Sequence, residues 1–235
     1  MPDSSQPKPE NGPSRRVGIY RFSMLQFLIA LVLLLVTVPL VEELSNWESI
    51  ETVLLTLVLV SAVLAIGARH RTLVLALVLV TPAVVGKWLN RFRPDLVPQE
   101  IFLGSGLVFL VFVVAQLLIF ILRAPRVTAD VLCAGLATYL LLGLLWSLAY
   151  ALVANLVPNS FSLNGAPMVN PPLQGSNSLY FSFITLSTVG YGDITPVSNA
   201  ARMLAAAEAV TGTLFMAVLI ARLVSLYTTE SAPKG

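Results

Sequence analysis

Six times along this chain an apolar run continues for close to the thickness of a lipid bilayer, and that recurrence limits the fold more than any other feature. The runs cover residues 24–41, 52–68, 72–89, 101–122, 128–156 and 200–226. A helix needs about 20 apolar residues to cross the hydrocarbon core. In lipid every backbone N–H and C=O must be satisfied within the protein, so runs rich in Leu and Val are helical here although water would favour strands. A soluble domain could not hide this composition, 57% hydrophobic and 11% charged over 235 residues. The expectation is an all-α membrane protein with six transmembrane helices.

What surrounds the runs narrows the function. A formal charge of +2 gives no basic surface for nucleic acid. The single cysteine, Cys133, lies in an apolar run and reads as a small hydrophobe. With one histidine, His70, there is little to build a His-based metal site or triad, and His70 reads as an interfacial anchor beside two arginines. No HExxH, Ser/His pair or paired intramembrane carboxylates occur, so an enzyme is not expected. Residues 1–23 are polar and rich in Pro and Ser, and read as a disordered cytoplasmic tail. The run after them is too long for a signal-peptide core and reads as a retained anchor.

Basic residues at helix ends give the orientation. Lys8, Arg15, Arg16 and Arg21 precede the first run, Arg69, His70 and Arg71 form a turn, and Arg123 and Arg126 mark another. These belong inside, and the loop with Glu42, Glu43, Glu48 and Glu51 outside. Lys87, Arg91 and Arg93 run against the rule. Both termini are then cytoplasmic, in a multi-pass protein of the cell membrane.

Between the fifth and sixth runs the pattern changes. Residues 157–177 are rich in Pro, Asn, Gly and Ser and read as an exposed loop. Residues 179–187 form an apolar stretch only half a membrane deep, which reads as a re-entrant helix capped by Ser176, Asn177 or Ser178. Then comes Thr188-Val189-Gly190-Tyr191-Gly192-Asp193. Polar backbone at membrane depth is costly unless it lines a water- or ion-filled path. Glycines at alternate positions permit positive φ. Successive carbonyls can then share one direction, with Val189 and Tyr191 turned away.

The run LSTVGYGDITP resembles the selectivity-filter signature of potassium channels, the known template for a carbonyl-lined filter. The resemblance is strong over residues 179–196 and extends more loosely over 202–224. It implies that four chains surround one axis, so that the partners are K⁺, three further copies of the chain, and lipid. The oxygens of Thr188, Val189, Gly190 and Tyr191, with Gly192 beside them, would replace the hydration shell of K⁺ as permeant ion, and no cofactor is implied. The aromatic cuff around the filter falls on Tyr180 and Phe181. Tyr180 would bond Asp193, whereas Phe181 offers no donor. Ile184 stands where some members carry a carboxylate, and Thr185 would receive the Tyr191 hydroxyl. Gly212 aligns with the hinge glycine of the inner helix, although close packing against the pore helix accounts for it equally. By the same alignment Thr213, Met216, Ile220 and Val224 face the pore. Glu208, one turn above Gly212, is an intramembrane ionisable residue and so a functional candidate; it is expected behind the filter, bonded to the pore helix. The C-terminal end of the half-helix carries roughly half a negative charge, so four of them favour a cation in a central cavity.

The layout implied is a tail over 1–23, a four-helix region over 24–126, a pore domain over 127–228 and a short cytoplasmic tail over 229–235. Known voltage sensors place several arginines on the fourth helix. Residues 101–122 have none, with only Ser105 and Gln116 as polar side chains, so strong voltage gating is not expected. The short stretch after the last run leaves no room for a fused ligand-sensing domain. A non-selective cation channel and a non-conducting regulatory membrane subunit stay open as alternatives.

Overall fold

The computed structural model describes residues 17–42, 47–66, 70–92, 98–168 and 173–231. Among the described residues, apolar sequence forms six long helices, with Pro39 and Pro82 inside the first and third: α1 (Val17–Val41), α2 (Trp47–Ile66), α3 (His70–Phe92), α4 (Gln99–Arg123), α5 (Ala129–Leu156) and, last in the chain, α7 (Asn199–Ser231). A shorter helix, α6 (Gly175–Leu186), lies between α5 and α7 in sequence. Five of the helices are long and apolar enough to cross a membrane. The sixth expected span, α2, holds a shorter apolar stretch among the described residues, Ser49–Ala65. Its 20 residues still measure about 30 Å.

The helices pack in chain order. α1 lies against α2 and α5, α3 against α4, and α4 against α5, while α6 is wedged between α5 and α7. The connection from α4 to α5 is only residues 124–128, so the first four helices stay beside their own chain's α5. Thr128 starts α5 as its N-cap, its hydroxyl accepting from Val131 N at 3.3 Å. Fully buried Phe27, Leu31, Phe109, Val113, Ala137 and Leu141 knit α1, α4 and α5 together. The outward faces of the early helices remain apolar, with Ile29, Leu40, Leu64 and Val78 more than half exposed. Lipid, not water, is the solvent that tolerates such a surface.

Lys87 has an explanation in the packing. Its Nζ pairs with Glu51 Oε1 at 3.1 Å and lies 5.5 Å above the Phe102 ring, linking α3 to α2 and α4. A neutralised lysine contributes little to the charge count of its loop. The expected caps of orientation at Lys8, Arg15, Arg16, Glu43, Arg69 and Arg93 lie outside the described residues, as do the side chains of Arg21, Glu48, His70 and Arg91.

Two boundaries differ from expectation. α1 begins at Val17, inside the stretch read as a tail. No proline occurs between Pro13 and Pro39, and Val17, Ile19, Tyr20 and Phe22 extend the apolar run. The tail's residues 1–16 lie outside the described residues. At the other end α7 continues to Ser231, through the first part of the expected 229–235 tail, whose residues 232–235 also lie outside.

The segment read as a featureless loop holds a small antiparallel sheet. Strands β1 (Phe161–Leu163) and β2 (Ala166–Pro167) form a hairpin, and β3 (Ile194–Pro196) joins the other edge of β1. The signal was Asn164–Gly165: both residues have positive φ, 50° and 83°, as the tightest hairpin turn requires.

Candidate functional site

The pore-side half of the chain is organised by α6. Its 12 residues make about 18 Å, half a membrane. The helix starts before the residues expected to cap it. Gln174 is the N-cap and makes no side-chain cap bond, while Ser176, Asn177 and Ser178 are already inside. Ser178 donates to Gly175 O at 2.9 Å, which leaves Ser147 of α5 to donate to it across 2.8 Å. One turn on, Ser182 reaches Gly143 O of α5 at 2.7 Å and Glu208 Oε1 of α7 at 2.6 Å. Hydroxyls thus bolt the half-helix to both neighbours, where hydrocarbon offers no competing water.

Beyond Leu186 the chain turns away from the helical path. Thr188 N donates to Thr185 O at 2.9 Å, and Val189 N and Gly190 N both donate to Ile184 O, at 2.8 and 3.1 Å. The N–H groups of Thr188, Val189 and Gly190 therefore point back at α6. φ is positive at Thr188 (60°), Gly190 (55°) and Gly192 (81°), every second residue. In a strand, successive carbonyls alternate sides; alternation in the hand of φ brings them toward one side. Among the described residues none donates a hydrogen bond to the carbonyl oxygens of Thr188, Val189, Gly190 or Tyr191. All of residues 187–192 are exposed on the single chain. Backbone oxygens at membrane depth need partners, and here the chain itself supplies none.

The expected supporting residues are distributed as follows. Tyr180 donates to Asp193 Oδ2 at 2.8 Å. That bond holds the Asp193 carboxyl below the usual carboxylate range. Phe181 is buried in a trio of rings with Tyr150 and Phe161, with centroids 4.8 to 5.7 Å apart and edge-to-face angles. It supports the site by packing alone. Thr185 donates to Phe181 O at 2.7 Å, and the ring of Tyr191 stands exposed, so this chain does not bring the two hydroxyl groups together.

On α7, Ser198 caps the helix start by accepting from Ala201 N at 3.2 Å. Glu208 is completely buried behind α6, away from the exposed face. Its Oε2 accepts from Tyr150 of α5 at 2.5 Å and its Oε1 meets Ser182 of α6. Gly212 is buried, and a Cβ there would run into the Leu186 carbonyl, so the close-packing account of this glycine holds and α7 passes through it unbroken. Thr213, Met216, Ile220 and Val224 all lie exposed on α7.

Three partners escaped the sequence reading. Tyr150 and Ser182 look like ordinary helix residues until Glu208 is placed between them. Arg222 donates from Nη2 to Leu122 O and Ala124 O, both at 2.9 Å, capping the end of α4 from α7. Its position one turn before Leu226, where the apolar span of α7 ends, was the available signal. Among the described residues no group of three or more His, Cys, Asp or Glu is placed to hold a metal ion.

Comparison with known proteins places this arrangement. The family described as "Ion channel" matches residues 131–229. Two-pore potassium channel 1 of Arabidopsis thaliana is 44% identical over 46 residues, 20% of this chain and 13% of that protein. Protein LctB of Bacillus caldotenax is 48% identical over 48 residues, 20% of this chain and 35% of that protein. The chain thus spans a minor part of either relative's length. No solved structure matches it significantly. The matched residues take in nearly all of α5 and α7, with the small sheet, α6 and the glycine-rich turn between them, so over residues 131–229 the chain is similar to this ion-channel family.

Proposed function

We propose that the chain is one of four identical subunits of a potassium-selective channel of the cell membrane. Dehydrated K⁺ passes along the shared axis, coordinated by the carbonyl oxygens of Thr188, Val189, Gly190 and Tyr191 and the Thr188 hydroxyl. The observation that carries this reading is the backbone at 188–192: φ alternates in hand, the N–H groups of Thr188, Val189 and Gly190 are bonded to α6, and the carbonyls of 188–191 have no donor among the described residues. A cation is the partner that such oxygens coordinate in place of water. The name of the Arabidopsis relative agrees with potassium as the ion.

The oligomer follows from α7. Only 17% of its spanning residues are buried, against 56% for α5. In the assembly, Thr213, Met216, Ile220 and Val224 line the cavity below the filter, and the C-terminal ends of four α6 helices direct negative potential into it. Residues 127–228 act as the pore domain and 24–126 as a surrounding four-helix region, with no charge within residues 101–122 of α4 to answer voltage. Both termini are cytoplasmic. Glu208 holds the filter's supporting helix in place and stays out of the ion path.

Recording the purified protein in planar bilayers with K⁺ on one side and Na⁺ on the other tests the reading. The expected reversal potential lies far toward the K⁺ equilibrium value, moving about 59 mV for each tenfold change of K⁺. A reversal near zero in these solutions would convert the protein into a non-selective cation channel, and absence of any current would leave a regulatory subunit.

A further inference from the structure

The chain leaving the glycine-rich turn is held residue by residue. Asn164 N donates to Asp193 O at 2.7 Å. Leu163 then pairs with Ile194, Ser162 with Thr195 and Phe161 with Pro196. The Ser162 and Thr195 hydroxyls meet at 2.7 Å. Ser160 O accepts from Val197 N at 2.7 Å and from Ser198 N at 3.3 Å, just where α7 begins. From Asp193 to Ser198, then, the exit of the turn is strapped to residues 160–164.

The strap is anchored at both ends. At its root the Phe161 ring is fully buried between Tyr150 and Phe181, and the Ser160 hydroxyl donates to Val157 O at the end of α5. At its tip the Asn164–Gly165 turn fixes the register. Side chains could not do this work alone, since Phe181 and Ile184 have no hydrogen-bonding atoms. Tyr180 holds the carboxylate of Asp193, while the hairpin holds its carbonyl. Strands of two or three residues are marginal by themselves, so β1 and β3 depend on each other and on the turn.

We infer that the hairpin of β1 and β2 is a clamp on the outer end of the ion path, with Ser162, Asn164 and Gly165 as positioning residues that keep an open channel conducting. The inference rests on reading residues 188–192 as the filter. Loosening the clamp lets the backbone beyond Gly192 relax, so that conduction fails sooner while the ions admitted before failure are the same.

Two readouts on the full-length protein test this: decay of K⁺ current during sustained opening in bilayers, and hydrogen exchange of the peptide covering residues 189–198. Gly165→Val forces a branched residue into the left-handed region and should speed both by about tenfold. Ser162→Ala removes one hydroxyl pair and should speed both about threefold. Gly165→Asn suits the same turn and should behave as the wild type. The K⁺/Na⁺ reversal potential should not move in any of them. Unaltered exchange and unaltered decay in an assembled Gly165→Val channel would overturn the clamp. If Gly165→Val fails to assemble, Ser162→Ala decides by the same two measurements. A wild type without K⁺ selectivity would overturn the filter reading instead, and the exchange measurement would still decide whether the hairpin holds residues 193–198.

Discussion

Glu208 illustrates how a carboxyl group is tolerated in the middle of a helix bundle. Both oxygens have hydroxyl partners, Tyr150 on α5 and Ser182 on α6, and Ser182 also has the Gly143 carbonyl within reach. Because Ser182 can turn its proton to Gly143 and accept instead, a glutamine at 208 can keep both contacts. Glu208→Gln should therefore stay close to the wild type. Glu208→Ala leaves the buried Tyr150 hydroxyl without its partner, while Ser182 keeps the Gly143 carbonyl, and should cost about 1–3 kcal/mol. The check is thermal unfolding of the detergent-solubilised protein, together with a reversal potential that does not change. A second prediction belongs to Asp193. Since its bond from Tyr180 lowers its native pKa, the stabilisation is complete above the ordinary carboxyl value of about 4 and is lost as external pH falls through the lower native value. Tyr180→Phe removes that bond, so loss of current on acidification should set in at a higher pH, as a titration of current against external pH will read. Gly190 has open space around a Cβ but φ of 55°, so the effect of Gly190→Ala comes through the backbone. That strain, about 1–2 kcal/mol, should abolish K⁺ preference. An unchanged permeability ratio would count against the carbonyl column. At this scale the glycines, Asp193, Tyr180 and Glu208 were legible because their chemistry is conspicuous in an apolar sequence. Tyr150, Ser182 and Arg222 were not, since only the packing of α5, α6 and α7 reveals what they touch.

At the scale of elements, the long helices could be read directly, because a lipid-facing helix is apolar all round and needs no periodicity to be found. Their ends were harder. Residues 17–23, read as part of the tail, join α1 once the apolar run has nucleated it, and α2 carries acidic residues into its own first turns. The small sheet was hidden by its size: three-residue strands show no alternation, and only the Asn-Gly pair marked the turn. Two contacts between elements are open to test. α7 lies so close to the end of α6 at Gly212 that Gly212→Ala should cost about 1–3 kcal/mol through overpacking, lowering the unfolding temperature. Arg222 ties α7 to the end of α4 with two bonds to main-chain carbonyls. Arg222→Leu should lose about 2 kcal/mol by the same measurement.

The whole molecule is built around what one chain lacks. In the proposed assembly the exposed face of α7 and the open carbonyls at 188–191 belong together, because neighbouring copies would cover the first while bringing their own oxygens to the second. A single sequence carries one copy of the glycine-rich turn and says nothing of symmetry, so the fourfold axis enters through resemblance and through the bareness of α7. Native mass spectrometry should find four chains of 25.3 kDa each. The short α4–α5 connection keeps the four-helix region beside its own chain's α5, so in the proposed tetramer the four regions would form a belt. The claim beneath all of this is that main-chain oxygens of residues 188–191, from four chains, coordinate the ion. Cryo-electron microscopy of the purified protein in K⁺ tests it most directly. The account predicts a fourfold axis with ion density between successive rings of these oxygens, weakened when K⁺ is replaced by Na⁺. A particle without that axis, or with the oxygens of Val189 and Gly190 turned away from it, would contradict the account.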